Sequence, residues 1–298
     1  MISELAKTVK TVCNHPLNRD DKFRAFRNYI AWNIGRRLLN SADYSVELVP
    51  GVRIVLSNNE NYATLAYTCG LYDFDDMLFM MHMLGPGDVF GDFGSNVGVY
   101  SVLAGFRGAS VLAVEPVPET YRRLCANLRM NAIDATPVNC GLADRGGTLT
   151  FTTDCGGMNK VTTRTGPNTC DVGVQTVDQL VQQTGLSPVM VKIDVEGYEH
   201  PLLSGAGELF STTLQAVIVE LNESGRAFGY SDELVHRRIF ECGFVPCRYR
   251  PNTRELVESA GINRESLNTI YVKRSALESA RHRLKQATQV GLREGVRV

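Results

Sequence analysis

The segment "VKIDVEGYEHPLLSGA", residues 191–206, runs from an apolar stretch straight into Asp194 and Glu196, then Gly197, with Glu199 and His200 just beyond. Another acid, Glu220, lies near the end of the apolar run "QAVIVEL". Carboxylates gathered at strand ends can hold a metal, orient a hydroxyl or take its proton. Helix capping would account for Glu196 alone, but not for Asp194, Glu196 and Glu220 together. His200 has the chemistry of a base, but it falls inside the following helical pattern, where a structural or surface histidine is the ordinary reading.

A second stretch, "VFGDFGSNVGVYSVLAG" at 89–105, is built for a ligand rather than for proton transfer. It spaces Asp92, Gly94 and Gly98 as acid-x-Gly-x-x-x-Gly, with Ser95 and Asn96 inside the turn. Glycine lets the backbone approach a ligand closely, and Asn96 can orient the turn through its side chain. The spacing is not the dinucleotide fingerprint G-x-G-x-x-G. A pyrophosphate asks for backbone amides. An aminocarboxylate carried on a sulfonium also asks for oxygens at its ammonium end, and Asp92 offers one. "VLAVEP" then ends in Glu115 and Pro116, and a carboxylate there can accept both hydroxyls of a ribose. NAD and S-adenosylmethionine both carry that ribose, and the spacing around Gly94 favours the latter. "CGLADRGGTLTF" presents Leu142, Ala143 and Asp144 to an adenine edge, Asp144 being equally readable as a turn residue before Gly146-Gly147.

These residues need strand ends to carry them. Hydrophobic patterning predicts strands over 88–93, 110–115, 136–140, 189–194 and 215–221, with helices near 98–106, 118–131, 175–185 and 197–209. Short, doubly apolar strands joined by amphipathic helices imply a mostly parallel α/β sheet covered on both faces. After a helix at 231–242, "FVPCRYR" and "LNTIYVKR" can pair antiparallel. A parallel sheet finished by such a terminal hairpin is the Rossmann-like layout of class I S-adenosylmethionine methyltransferases. Ahead of it, residues 1–45 read as mainly helical, followed by a hairpin around Pro50-Gly51 and a helix stopped by Gly85-Pro86-Gly87. The expected division is an N-terminal helical and hairpin extension at 1–70, a methyltransferase domain at 71–274, and a basic helical tail at 275–298.

Together, "FGDFGSNVGVYS", "VLAVEPVPETYRRLCANLRMN", "GLADRGGTLTF" and "VKIDVEGYEHPLLSGA" resemble the FkbM family of S-adenosylmethionine-dependent methyltransferases. The upstream "CGLYDFDD" is similar to that family's segment before the core, with Asp73 where an acid is usual. The resemblance covers about residues 70–222. It implies O-methylation of a hydroxyl on a sugar, glycan or natural-product small molecule. Asp194 and Glu196 then serve as a base and orienting pair, with Glu220 assisting. Asp194, Glu220 and Asn222 could together bind Mg²⁺, and the sequence leaves a metal site and a metal-free carboxylate pair both open. The competing readings are an NAD-linked oxidoreductase on a similar sheet and a non-catalytic binding module. Acceptor selectivity is expected in residues 1–70, in 222–231 and in the Gly-, Thr- and Asn-rich loop 154–173, where Lys160 and Arg164 could meet an anionic acceptor.

Bulk properties narrow the partners. Residues 46–272 carry 16 basic and 26 acidic side chains, while both ends of the chain are basic. An acidic body argues against nucleic acid lying across it, whereas the ends could touch an acidic partner or a membrane surface. Eight cysteines lie scattered without a ligand cluster, no signal-type leader opens the chain, and no apolar run reaches membrane-spanning length. A cytoplasmic protein with reduced thiols is expected. The N-terminal helix, with Phe23, Phe26 and Trp32, reads as a cap packed on the core, the sharper alternatives being a homodimer contact or a lid over the acceptor.

Overall fold

The computed structural model describes residues 2–38, 43–57, 62–293 and 296–298. The chain forms two compact units, Met1–Phe74 with Val290–Val298, and Asp75–Gln289.

The smaller unit comprises helices α1 (Ile2–Asn14) and α2 (Lys22–Leu38), an antiparallel hairpin of β1 (Tyr44–Val49) and β2 (Val52–Leu56), and helix α3 (Ala63–Cys69). A short hairpin, Gly291–Arg293 with Val296–Arg297, completes it. The tail drawn in sequence from residue 275 is therefore shared between the units. The outward face of α2 differs from the expected packing. Ala25, Tyr29 and Trp32 are buried, whereas Phe23, Phe26, Ile30 and Ile34 are exposed. Both faces of this helix are apolar, so spacing alone does not choose between them. Trp32 does, because its indole N–H donates to Thr64 Oγ1 at 2.9 Å and its ring stacks on Tyr67.

In the larger unit the strands are β3 (Val89–Phe93), β4 (Ser110–Val114), β5 (Ala135–Val138), β6 (Gly141–Leu142), β7 (Gly147–Thr152), β8 (Thr169–Gln175), β9 (Met190–Ile193), β10 (Ala216–Glu220), β11 (Phe244–Arg250), β12 (Glu255–Glu258) and β13 (Asn268–Lys273). Its helices are α4 (which begins at Phe74 and ends at Met83), α5 (Val99–Phe106), α6 (Pro118–Met130), α7 (Val177–Thr184), α8 (Glu199–Ser204), α9 (Gly207–Ser211), α10 (Asp232–Glu241) and α11 (Leu277–Gln286). Eight strands form the main sheet in the order β12-β11-β13-β10-β9-β3-β4-β5. The run from β10 to β5 is parallel, and β13 enters antiparallel between β10 and β11. Strand order reverses at β3, which pairs with β4 on one side and β9 on the other, so the carboxyl end of β3 opens a crevice.

Two local outcomes were not foreseen. The pattern over 197–209 breaks into α8 and α9, because Gly205 passes so close to the Ala143 carbonyl that a Cβ would overlap it. Asp178 then accepts from the Glu208 and Leu209 amides and starts α9. The stretch 154–173, expected as a loop, contains an isolated bridge from Phe151 to Val161 and the start of β8. β8 pairs with β6 and β7 in a separate three-stranded sheet. Alternation was masked there by Thr and Gly, which bury little.

Candidate active site

At the carboxyl end of β3 lies a cleft lined by the turn after β3, the end of β4, the β6–β7 region and the turn after β9. Gly94 carries φ +84°, and a Cβ on it would overlap the Asp194 carbonyl oxygen. Only glycine lets these two turns touch. The Gly94 and Ser95 amides both donate to the Val114 carbonyl, at 3.0 and 2.9 Å. Ser95 Oγ is turned inward onto the Asp92 and Val114 carbonyls. Asn96 adopts φ +50°, and its buried Oδ1 has no hydrogen-bond donor.

Glu115 is buried at the rim of β4. Its Oε2 accepts from the Asn96 amide at 3.0 Å and its Oε1 from the Val117 amide at 2.9 Å. Two backbone amides thus fix this carboxylate at the rim of the cleft.

Gly94, Asn96, Glu115, Pro116, Leu142, Asp194 and Glu196 line the cleft together. The other candidates are placed elsewhere. Asp92 is buried behind the turn, where Ser101 Oγ donates to its Oδ2 at 2.6 Å, and burial raises its pKa to about 6. Gly98, at φ +90°, starts α5 against Leu124. Ala143 packs with Val117, Phe151 and Val172, and Asp144 is exposed. Asp73 belongs to the smaller unit, just before α4. Thr120, Phe151, Gly156, Gly157, Asn159, Val161 and Tyr198 also line the cleft, none of them singled out from sequence.

The acids form a second focus. Oxygens of Asp194, Glu196 and Glu220 lie within 4.8 Å of one another. Lys192, almost wholly buried in β9, donates from Nζ to Asp194 Oδ2 at 3.0 Å and sits over the Tyr100 ring. Sequence reasoning passed over this lysine, although a cation inside the apolar run "VMVKI", two residues before an acid, was a usable signal. Burial, then Asp194 and Glu199, pushes Glu196 up to about 7. Burial and then Asp194 push Glu220 up to about 9. Glu196 also holds φ +52°, an uncommon conformation for a side chain with a Cβ. Glu199 turns inward to accept from the Val195 and Gly197 amides and holds this loop.

The Mg²⁺ set of Asp194, Glu220 and Asn222 does not fit these contacts. Lys192 already donates to Asp194. Asn222 donates from Nδ2 to Glu220 Oε2, and its Oδ1 accepts from the Ser224 amide. A hard cation needs free oxygens, and this set offers an ammonium and a committed amide instead. The methyl donor fits better. The Asn96 Oδ1, unpaired among the described residues, and the fixed Glu115 carboxylate match an ammonium and a ribose.

A parallel sheet with an antiparallel strand inserted beside β10, and a glycine turn at its reversal point, defines a Rossmann-like class I methyltransferase fold. The methyltransferase FkbM domain matches residues 92–246, and the chain belongs to that family. Hexuronic acid methyltransferase AglP of Haloferax volcanii is 31% identical over 139 residues, 45% of this chain and 56% of that protein. The chain thus spans little more than half the length of that relative. The 31-O-demethyl-FK506 methyltransferase FkbM of Streptomyces tacrolimicus is 24% identical over 193 residues, 52% of this chain and 74% of that protein. Among solved structures, methyltransferase FkbM from Methylobacillus flagellatus aligns with a TM-score of 0.42 at 14% identity, over 72% of this chain and 55% of that one.

Proposed function

We propose that this chain transfers a methyl group from S-adenosylmethionine to a hydroxyl of a saccharide, glycan or natural-product small molecule. The observation that carries the reading is the meeting of the Gly94 donor turn with the Asp194 turn, beside the Asp194, Glu196 and Glu220 cluster. FkbM membership supports the reaction type. Relatives named for a hexuronic acid and for 31-O-demethyl-FK506 support the acceptor class.

When bound, the donor supplies a methyl group on a positively charged sulfur. Glu115 would hold its ribose hydroxyls, Asn96 Oδ1 and the Gly94 turn its methionine end, and Pro116, Leu142 and Phe151 its adenine. Glu196, poised near neutrality, takes the acceptor hydroxyl proton onto its carboxylate. Asp194, held by Lys192, orients that hydroxyl for in-line attack. Glu220, still protonated near neutrality, hydrogen-bonds to Asp194 and helps hold it in place.

An NAD reading is disfavoured by the same geometry. An orphan amide oxygen beside a carbonyl attracts an ammonium and repels a pyrophosphate. Calorimetric titration with both ligands, followed by transfer of labelled methyl groups onto panels of saccharides and polyketides, tests the proposal. S-adenosylmethionine is expected to bind, and EDTA to leave turnover unchanged. Binding of NAD alone would overturn it.

A further inference from the structure

Helix α2 leaves one side uncovered that carries five large apolar residues. Phe23, Phe26, Ile30, Ile34 and Leu38 follow one another at helical spacing, and Phe23 and Leu38 are each 79% exposed. The stripe runs about 22 Å along the helix at 1.5 Å per residue. Its opposite side is already satisfied by Ala25, Tyr29 and Trp32, so the stripe is not a core face awaiting its own unit.

Charge selects what covers it. The helix carries Lys22, Arg24, Arg27, Arg36 and Arg37 and no acid. Arg27 and Arg37 fall on the apolar side, are exposed, and have no carboxylate partner among the described residues. Two copies packed face to face on this stripe would bring like charges together. An anionic lipid surface accepts both components at once, with rings and aliphatic chains at the acyl boundary and guanidinium groups at the phosphates.

We infer that the α2 stripe docks this protein peripherally on an anionic phospholipid membrane. The inference is independent of the methyl-transfer reading. The full chain is sedimented with vesicles of phosphatidylcholine alone and of equimolar phosphatidylcholine and phosphatidylglycerol. Binding only to the anionic vesicles is expected, weakened by salt. Each cation removed lowers binding about fivefold, so R27Q/R37Q falls about 25-fold, and F26S/I30S also releases the protein. The substituted side chains are exposed, so unchanged Tm and S-adenosylmethionine binding would confirm intact variants. No binding, equal binding to neutral vesicles, or binding that survives both double substitutions overturns the inference. So does a dimeric mass in solution that F26S/I30S converts to monomer, which would assign the stripe to a second copy.

Discussion

Glu196 and Glu220 face the same crowd of charge, but one is held at neutrality and the other well above it, at about 7 and about 9. A base must be free of its proton and a donor must keep one. The rate constant is therefore expected to rise with pH through about 7 and to fall beyond about 9. E196Q should lower kcat by about 100-fold or more and remove the acidic limb, read from kcat against pH. Glu220 also affects stability. Its value rises from 4.5 in the unfolded chain to about 9 when folded, so the folded state holds the proton more tightly. Its contribution is full below about 4.5 and is lost as pH climbs towards 9. The Tm of the natural protein, measured against E220Q, should fall steadily across that window. A constant difference would show that burial does not act on this carboxyl. Much of this chemistry was legible because Asp194, Glu196 and Glu220 end apolar runs. Lys192 carried a weaker signal, since a lone lysine in a strand ordinarily reads as a solvated edge residue and only its apolar neighbours argue otherwise.

The strand ends were readable wherever both faces of a strand are apolar, as in β4, β9 and β10. They were not readable in β7 and β8, whose Thr- and Gly-rich alternation resembles a loop, and it is from β7 and from the segment bridged to it that Phe151 and Val161 reach the cleft. Asp92 shows the opposite error. Its place at the end of β3 suggested a ligand contact, but strand alternation turns its carboxylate to Ser101. Gly94 was read as a ligand cradle and is also a joint between two loops. G94A should destabilise the fold by at least about 2 kcal/mol in urea unfolding, since it adds both overlap and backbone strain at φ +84°. A loss below half that value would mean the Asp194 turn yields easily.

Seen whole, the chain separates its charges. The middle is acidic and the ends are basic, and the basic N-terminal helix carries the exposed apolar stripe. Among the described residues no helix is long and apolar enough to cross a membrane. Composition alone showed the charge asymmetry, but not which side of α2 faces outward, because tertiary contacts of Trp32 decide that.

The Gly94 backbone lies against the carbonyl of Asp194, so one contact joins the turn proposed to seat the donor to the loop proposed to activate the acceptor. Ordering the first stiffens the second, and the two ligands are then thermodynamically linked. S-adenosylhomocysteine should raise acceptor affinity about fivefold or more, and acceptor should tighten S-adenosylhomocysteine by the same factor. Calorimetry of each ligand with and without the other measures both sides of that cycle. Equal affinities would show the loops to be independent. A reciprocal gain would make the coupling of donor and acceptor a property written into a single glycine.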